Sequence, residues 1–220
     1  MSSVAGDQRL GVTGRVKSKA KRRLNRWLFA GELWCRVEMN RHIDAYLETL
    51  DKPSLDAVEI SGWGGRANGW RTFDRLKYPQ FDLCKSTPAR QYDVVLCEQV
   101  LEHVVDPVAA VKTLFALTKP GGHVIVDTPF MLRIHEAPGD YWRFTKDGMR
   151  ILLSSAGFED IKTFSWGNRA CIKADMFRIA PYRILKRHLG GHWRAYQPWH
   201  SLSNESSFPI VIWAYAKRPA

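Results

Sequence analysis

Between Pro129 and Thr145 the chain reads PFMLRIHEAPGDYWRFT, which gathers an imidazole, two carboxylates, two guanidiniums and several aromatic rings into one segment. His135 is the preferred general base there, because an imidazole titrates near neutrality and so can take a proton at physiological pH. Asp140 ranks second for that role and Glu136 third. Tyr141 and Trp142 offer flat apolar faces, and Arg143 offers forked donors, a combination that suits a hydroxyl-rich acceptor such as a carbohydrate. The same carboxylates could hold a divalent cation such as Mg2+ that acidifies an acceptor, although no spacing here demands a metal. The plain alternative is a polar surface loop anchored by Trp142 and Phe144.

A second stretch with chemical capacity is Val58-Glu59-Ile60-Ser61-Gly62-Trp63-Gly64-Gly65. Glycines after a strand let a turn lie close against a ligand without Cβ clashes. Backbone amides at such a turn can hold an anionic group. Glu98 and Gln99 directly follow the apolar run Tyr92–Cys97, where an open α/β sheet places its ligands.

These residues need a scaffold, and the patterning supplies one. A helix is expected from Arg15 to about Leu50, broken at Asp51-Lys52-Pro53-Ser54. Strands follow at Asp56–Ile60, Arg71–Phe73, Phe81–Leu83, Tyr92–Cys97, His123–Asp127, Glu159–Trp166 and Pro209–Ala216. Asp106 and Pro107 open a helix as N-cap and first turn, and Lys119-Pro120-Gly121-Gly122 stops it. Thr145–Ala156 forms another helix, and 169–195 reads as a basic helical insert. Alternation of this kind predicts a mainly parallel sheet covered on both faces.

The run Asp93–Val104, DVVLCEQVLEHV, followed by Asp106-Pro107 and KPGG at 119–122, resembles the strand-four region of class I methyltransferases, of the type 11-like group. The likeness spans roughly residues 56–166. It implies a Rossmann-like α/β fold with seven strands, and S-adenosylmethionine as methyl donor. On that resemblance Ser61, Gly62, Trp63 and Gly64 form the donor loop, with Ser61 where the family has its first glycine. Glu59 meets the donor's ammonium group, Asp74 its ribose and Asp82 its adenine, with Glu98 and Gln99 alongside. His103 is read as a capping or packing residue. The string HEAP-x-D-Y-W-R-F-T resembles a subgroup tied to glycan and cell-envelope biosynthesis, which implies a saccharide acceptor, mannoside-like, of the actinobacterial methylated-polysaccharide type. The competing readings are another acceptor (nucleic acid, protein or lipid head group) and a non-catalytic binding module on this fold.

A chain of 220 residues fits one domain: a basic N-terminal segment and helical cover over 1–55, and a catalytic domain over 56–220. Cys35, Cys84, Cys97 and Cys171 form no CxxC pair, which disfavours a zinc or redox motif and suggests thiols in a cytoplasmic protein. No apolar run reaches membrane-spanning length. The net charge of +11 sits at the ends, with eight Lys/Arg against one Asp in 1–26 and nine against two acidic residues in 169–220. Basic flanks keep a nucleic-acid partner open, but no reading motif accompanies them. Oligomeric state is not encoded in any feature of the sequence.

Overall fold

The computed structural model describes residues 34–135, 139–176, 186–189, 192–195 and 203–220. Its frame is a six-stranded sheet formed by β1 (Asp56–Ile60), β2 (Thr72–Leu76), β3 (Tyr92–Glu98), β4 (Thr118–Pro129), β5 (Glu159–Trp166) and β8 (Val211–Lys217). The order is β2-β1-β3-β4-β8-β5. The first four strands run parallel, while β8 lies antiparallel to both β4 and β5. The parallel strands all end at one edge, where β3 Glu98 stands in register with β4 Asp127.

Period-two alternation divides the core between the two sheet faces. Val58, Ile60, Val95, Cys97, Val124 and Val126 pack toward α2 (Pro107–Leu117) and α3 (Lys146–Ser155). Ala57, Val94, Leu96, Ile125, Trp213 and Tyr215 pack toward α1 (Trp34–Leu47), which buries Trp34, Cys35, Met39, Ile43 and Leu47. The caps form as the sequence predicts. Asp106 accepts hydrogen bonds from the amides of Val108 and Ala109, and Thr145 accepts one from Gly148. All four cysteines are without a disulfide.

Three expectations need correction. The sheet has six strands among the described residues, because Phe81–Leu83 turns instead of extending. There the Asp82 carboxylate accepts from the Cys84 amide, and the Asp82 carbonyl accepts from Lys85 and Ser86, so local bonding outcompetes a ladder. The proposed helix over 169–195 ends early: α4 spans Arg169–Met176, then β6 (Lys186–Leu189) and β7 (His192–Ala195) pair antiparallel. Gly190-Gly191, between these strands in the sequence, is a composition that favours a tight hairpin over a helix. Finally, KPGG belongs to β4, which begins at Thr118 directly after α2. The expected helix over residues 15–33, with Trp27, lies outside the described residues. No described helix is long and apolar enough to cross a membrane.

Candidate active site

Two structures meet at the edge where the parallel strands end. The first is the turn after β1. Ser61 and Gly64 adopt positive φ, +54° and +79°, which folds the chain back across the end of the strand. Glu59 is buried, and its Oε2 accepts the Gly64 amide at 2.6 Å, so this carboxylate shapes the loop from within. A Cβ at Gly62 would lie 2.0 Å from the Glu59 carboxyl carbon, so any larger residue there must push the Glu59 carboxylate aside. The Trp63 ring projects outward, 93% exposed.

Arg66 ties this turn to its surroundings. Its Nε donates to Glu98 Oε1 at 2.8 Å at the tip of β3, Nη2 donates to Asn40 at 3.0 Å, and Nη1 bonds Asp44. Asn40 and Asp44 belong to α1, so one guanidinium joins helix, glycine turn and sheet edge. Gln99, at φ +55°, sends its side-chain amide to Asp127 Oδ1 and its backbone amide to the Asp127 carbonyl. Burial holds the Asp127 carboxyl well above its ordinary range, with Glu98 adding to the effect. Asp127 Oδ2 and Thr128 Oγ1 are buried without a hydrogen-bond partner, so the strand edge has unused polar capacity.

The second structure lies where the turn Leu101–His103 meets the loop after β4. Glu102 is fully buried, neither carboxyl oxygen has a hydrogen-bond partner, and burial pushes its pKa up to about 8. Two imidazoles face it: His103 Nε2 is 3.6 Å and His135 Nε2 3.9 Å from Glu102 Oε1. The opposite nitrogen of each ring points to an oxygen. His103 Nδ1 contacts the Gly139 carbonyl, and His135 Nδ1 lies 3.3 Å from Asp140 Oδ2 but makes no hydrogen bond to it. Burial lowers the His135 pKa despite the nearby Asp140, which leaves the ring neutral at pH 7.

Asp140 is the keystone of the loop. It pairs with Arg143 through both carboxylate oxygens, and its Oδ2 accepts the His135 backbone amide at 2.8 Å. Arg143 therefore holds the Asp140 carboxyl far below its ordinary range. Such a group is a poor proton acceptor and a good positioning anchor. Tyr141 donates its amide to the Glu102 carbonyl at 2.7 Å, and Trp142 Nε1 donates to the Val104 carbonyl at 2.9 Å. These bonds clamp the loop over the turn, leaving the Tyr141 ring 56% exposed beside the cluster.

A strand-helix sheet of this order, with a glycine turn at the end of β1 and a polar cluster beyond β3 and β4, has relatives. Residues 45–162 match the family model described as a methyltransferase domain. The chain belongs to the methyltransferase domain family. Among solved structures, the methyltransferase shares its fold with an S-adenosylmethionine-dependent methyltransferase from Archaeoglobus fulgidus (TM-score 0.51, 15% identity, covering 89% of this chain and 98% of that one). It also resembles Haemonchus contortus phosphoethanolamine N-methyltransferase 2 in complex with S-adenosyl-L-methionine (TM-score 0.53, 12% identity, 82% and 53% covered). In sequence it is 52% identical over 40 residues to the ubiquinone biosynthesis O-methyltransferase of Vibrio vulnificus. The corresponding Acinetobacter baumannii enzyme is 55% identical over 40 residues. Those stretches cover 18% of this chain and only 17% of each relative.

The methyltransferase thus brings together Glu59, Ser61, Gly62, Gly64, Glu98 and Gln99 at one sheet edge, as the sequence suggested. Asp74 and Asp82, the expected ribose and adenine contacts, have partners within the protein. Asp74 sits in register with Val58, and its carboxylate takes the Tyr92 hydroxyl at 2.9 Å and Arg90 at 3.2 Å. Asp82 is committed to its own turn. His135, Asp140, Tyr141, Trp142 and Arg143 share the second site, while Glu136 lies outside the described residues. Sequence reasoning missed Glu102 and set His103 aside as a capping residue. The adjacent Glu-His pair was the available signal, but only the fold shows both side chains meeting a histidine 32 positions later.

Proposed function

We propose that this methyltransferase uses S-adenosylmethionine to methylate a hydroxyl group on a saccharide. One observation carries the reading: Glu102 is buried and unpartnered, faces two imidazole nitrogens, and lies beside exposed aromatic rings at the edge that carries the glycine turn. A buried polar cluster without partners is costly to a fold unless a ligand completes it.

The residues present fit the donor. The Glu59-braced turn, with a glycine where a Cβ would displace the Glu59 carboxylate, forms a backbone cradle. Asp127 Oδ2 and Thr128 Oγ1 offer acceptors along the same edge. Bound there, the donor supplies a sulfonium methyl group, which passes to the acceptor oxygen as the carbon–sulfur bond breaks with its electron pair kept on sulfur.

The chain's own residues then have two tasks. The loop clamp through Tyr141 and Trp142 positions the acceptor, since alignment is the main requirement of such a displacement. An alcohol is a poor nucleophile until its proton is weakened or removed, and the Glu102–His103–His135 cluster lowers the cost of that removal. Tyr141 and Trp142 support a sugar, whose apolar faces stack on aromatic rings. The short likeness to ubiquinone biosynthesis O-methyltransferases favours a second reading, a phenolic hydroxyl.

The test is transfer of labelled methyl from S-adenosylmethionine to a panel of mannosides, glucosides and catechols. The expected result is transfer to a glycoside hydroxyl, abolished in Glu102→Gln. Transfer to catechols alone would replace the saccharide reading with the phenolic one. No binding of S-adenosylhomocysteine at millimolar concentration in titration calorimetry would overturn the enzyme reading itself.

A further inference from the structure

We propose that Glu102, His103 and His135 form a binding site for a divalent transition-metal ion of the zinc class. This deepens the function proposed above and rests on it for its purpose, though the site can be measured without any turnover. The candidate ligand atoms, one from each residue, all lie within 4.8 Å of one another. Ligands around a tetrahedral ion at bond lengths of 2.0–2.2 Å stand about 3.4 Å apart. The observed 3.6 and 3.9 Å separations from Glu102 Oε1 to the two Nε2 atoms are close to that spacing before any ion has drawn the ligands together.

The surroundings have the form of an outer ligand shell. A metal-bound imidazole commonly turns its other nitrogen to a carbonyl or carboxylate, which fixes the ring and leaves the coordinating nitrogen unprotonated. His103 does so here, its Nδ1 meeting the Gly139 carbonyl. His135 Nδ1 lies 3.3 Å from Asp140 Oδ2 without a hydrogen bond between them, close enough for a carboxylate to orient the ring once the imidazole is fixed by an ion. Asp140 is in turn fixed by Arg143 and by the His135 amide. Glu102 supplies the third ligand, with two buried oxygens that no protein group satisfies.

The donor set selects the ion. Two imidazoles and one carboxylate favour zinc and its neighbours over magnesium, which prefers oxygen ligands and retains its waters. Three protein ligands on one side leave further positions open for an acceptor hydroxyl, the arrangement of catalytic rather than closed structural sites. An ion there acts as a Lewis acid on that hydroxyl and lowers its pKa toward neutrality. The mannoside-type acceptor proposed above carries neighbouring hydroxyls that can occupy two such positions.

The experiment uses the full chain, stripped with chelator and titrated with Co2+ as a spectroscopic probe, followed by Zn2+ competition. One Co2+ per chain is expected, with visible ligand-field absorption and displacement by Zn2+. His135→Ala and His103→Ala should each weaken binding at least tenfold, and Asp140→Asn should weaken it less, as an outer-shell change does. His135 is partly exposed on a loop, so its variant remains informative if Glu102→Gln or His103→Ala fails to fold. Absence of stoichiometric Co2+ binding in folded wild type would overturn the site, as would binding that survives His135→Ala unchanged. A preference for Mg2+ over Co2+ would overturn it too. A calorimetric titration with S-adenosylhomocysteine separates the two proposals: donor-product binding without Co2+ binding removes only the metal, and the reverse removes only the methyltransferase reading of this site.

Discussion

Arg66 donates from Nε to Oε1 of Glu98 at 2.8 Å, across the gap between the glycine turn and the tip of β3. The same guanidinium reaches Asn40 and Asp44 on α1, and its side chain is only 12% exposed. The helix that covers the sheet is therefore fastened at this sheet edge by a charged group of the glycine turn. A charge-assisted bond of this kind contributes about 1.5–3 kcal/mol, and its loss leaves Glu98 half-buried and unpaired. Arg66→Ala is expected to weaken S-adenosylhomocysteine binding by roughly tenfold or more on that scale. It should also raise amide exchange in α1. Calorimetry and hydrogen exchange on the same sample check both, and an unchanged affinity would show that the latch does not serve the donor.

Gly62 tests the turn itself. A methyl group there meets the Glu59 carboxyl carbon at 2.0 Å, so Gly62→Ala must expel the carboxylate from its place under the loop. Once displaced, Glu59 no longer accepts the Gly64 amide. The turn lies at the surface, and the core on either sheet face is untouched. The expected outcome is a folded protein, by far-ultraviolet circular dichroism and cooperative melting, whose donor affinity has fallen more than tenfold. Wild-type affinity would mean that the turn's shape is incidental to donor binding.

How much of this was legible beforehand varies with the physics involved. The strands β1, β3 and β8, the caps at Asp106 and Thr145 and the Glu59–Gly64 turn follow from local pattern, because buried strands and caps are written in adjacent residues. Phe81–Leu83 misled because its apolar ends suggest a strand while Asp82 and Ser86 make a turn. Where Asp74 stands along β2 relative to the edge depends on register, which no single segment states. Glu102 went unseen because its significance is long-range: a buried carboxyl becomes chemically interesting only when the loop carrying His135 folds over it. The loop is legible in its composition, whereas the pairing of Asp140 with Arg143 inside it needs the fold.

The loop's exposed face gives a prediction about the acceptor. Tyr141 is anchored through its backbone amide to Glu102 and Trp142 through its indole to Val104, with both rings exposed at the surface. Tyr141→Ala keeps the backbone bond and removes only the ring. A stacking contact with an acceptor contributes about 0.5–1.5 kcal/mol beyond its buried area. KM for the acceptor should therefore rise by about three- to tenfold, while donor affinity and kcat stay near wild type. A fall in kcat with unchanged KM would place Tyr141 at the reaction rather than at the acceptor's face.

Far from the edge, two histidines hold α1 against the antiparallel end of the sheet, and they predict the protein's behaviour in mild acid. His42 Nδ1 pairs with the Tyr215 hydroxyl at 2.8 Å and accepts from Trp213 Nε1 at 3.4 Å, within a cluster of rings that includes Phe164. His123 Nδ1 pairs with the Tyr46 hydroxyl at 2.8 Å, and Tyr46 stacks on Tyr215 at 4.0 Å. Burial lowers both imidazole pKa values, with Arg41 contributing at His42 and Lys217 at His123. In the unfolded chain these rings titrate near 6.5, so between that pH and their lower folded values the unfolded state binds more protons. The stabilisation is accordingly complete above about pH 6.5 and is lost as pH falls through the folded values. A proton on His42 Nδ1 would also oppose the Trp213 indole N–H already aimed at it. Melting temperature should hold steady from pH 8 to 7 and fall progressively below 6.5. His42→Gln should lower the plateau but flatten the acid slope, because the residue that takes up the proton is gone. Parallel slopes in the variant and wild type would assign the acid sensitivity to other groups.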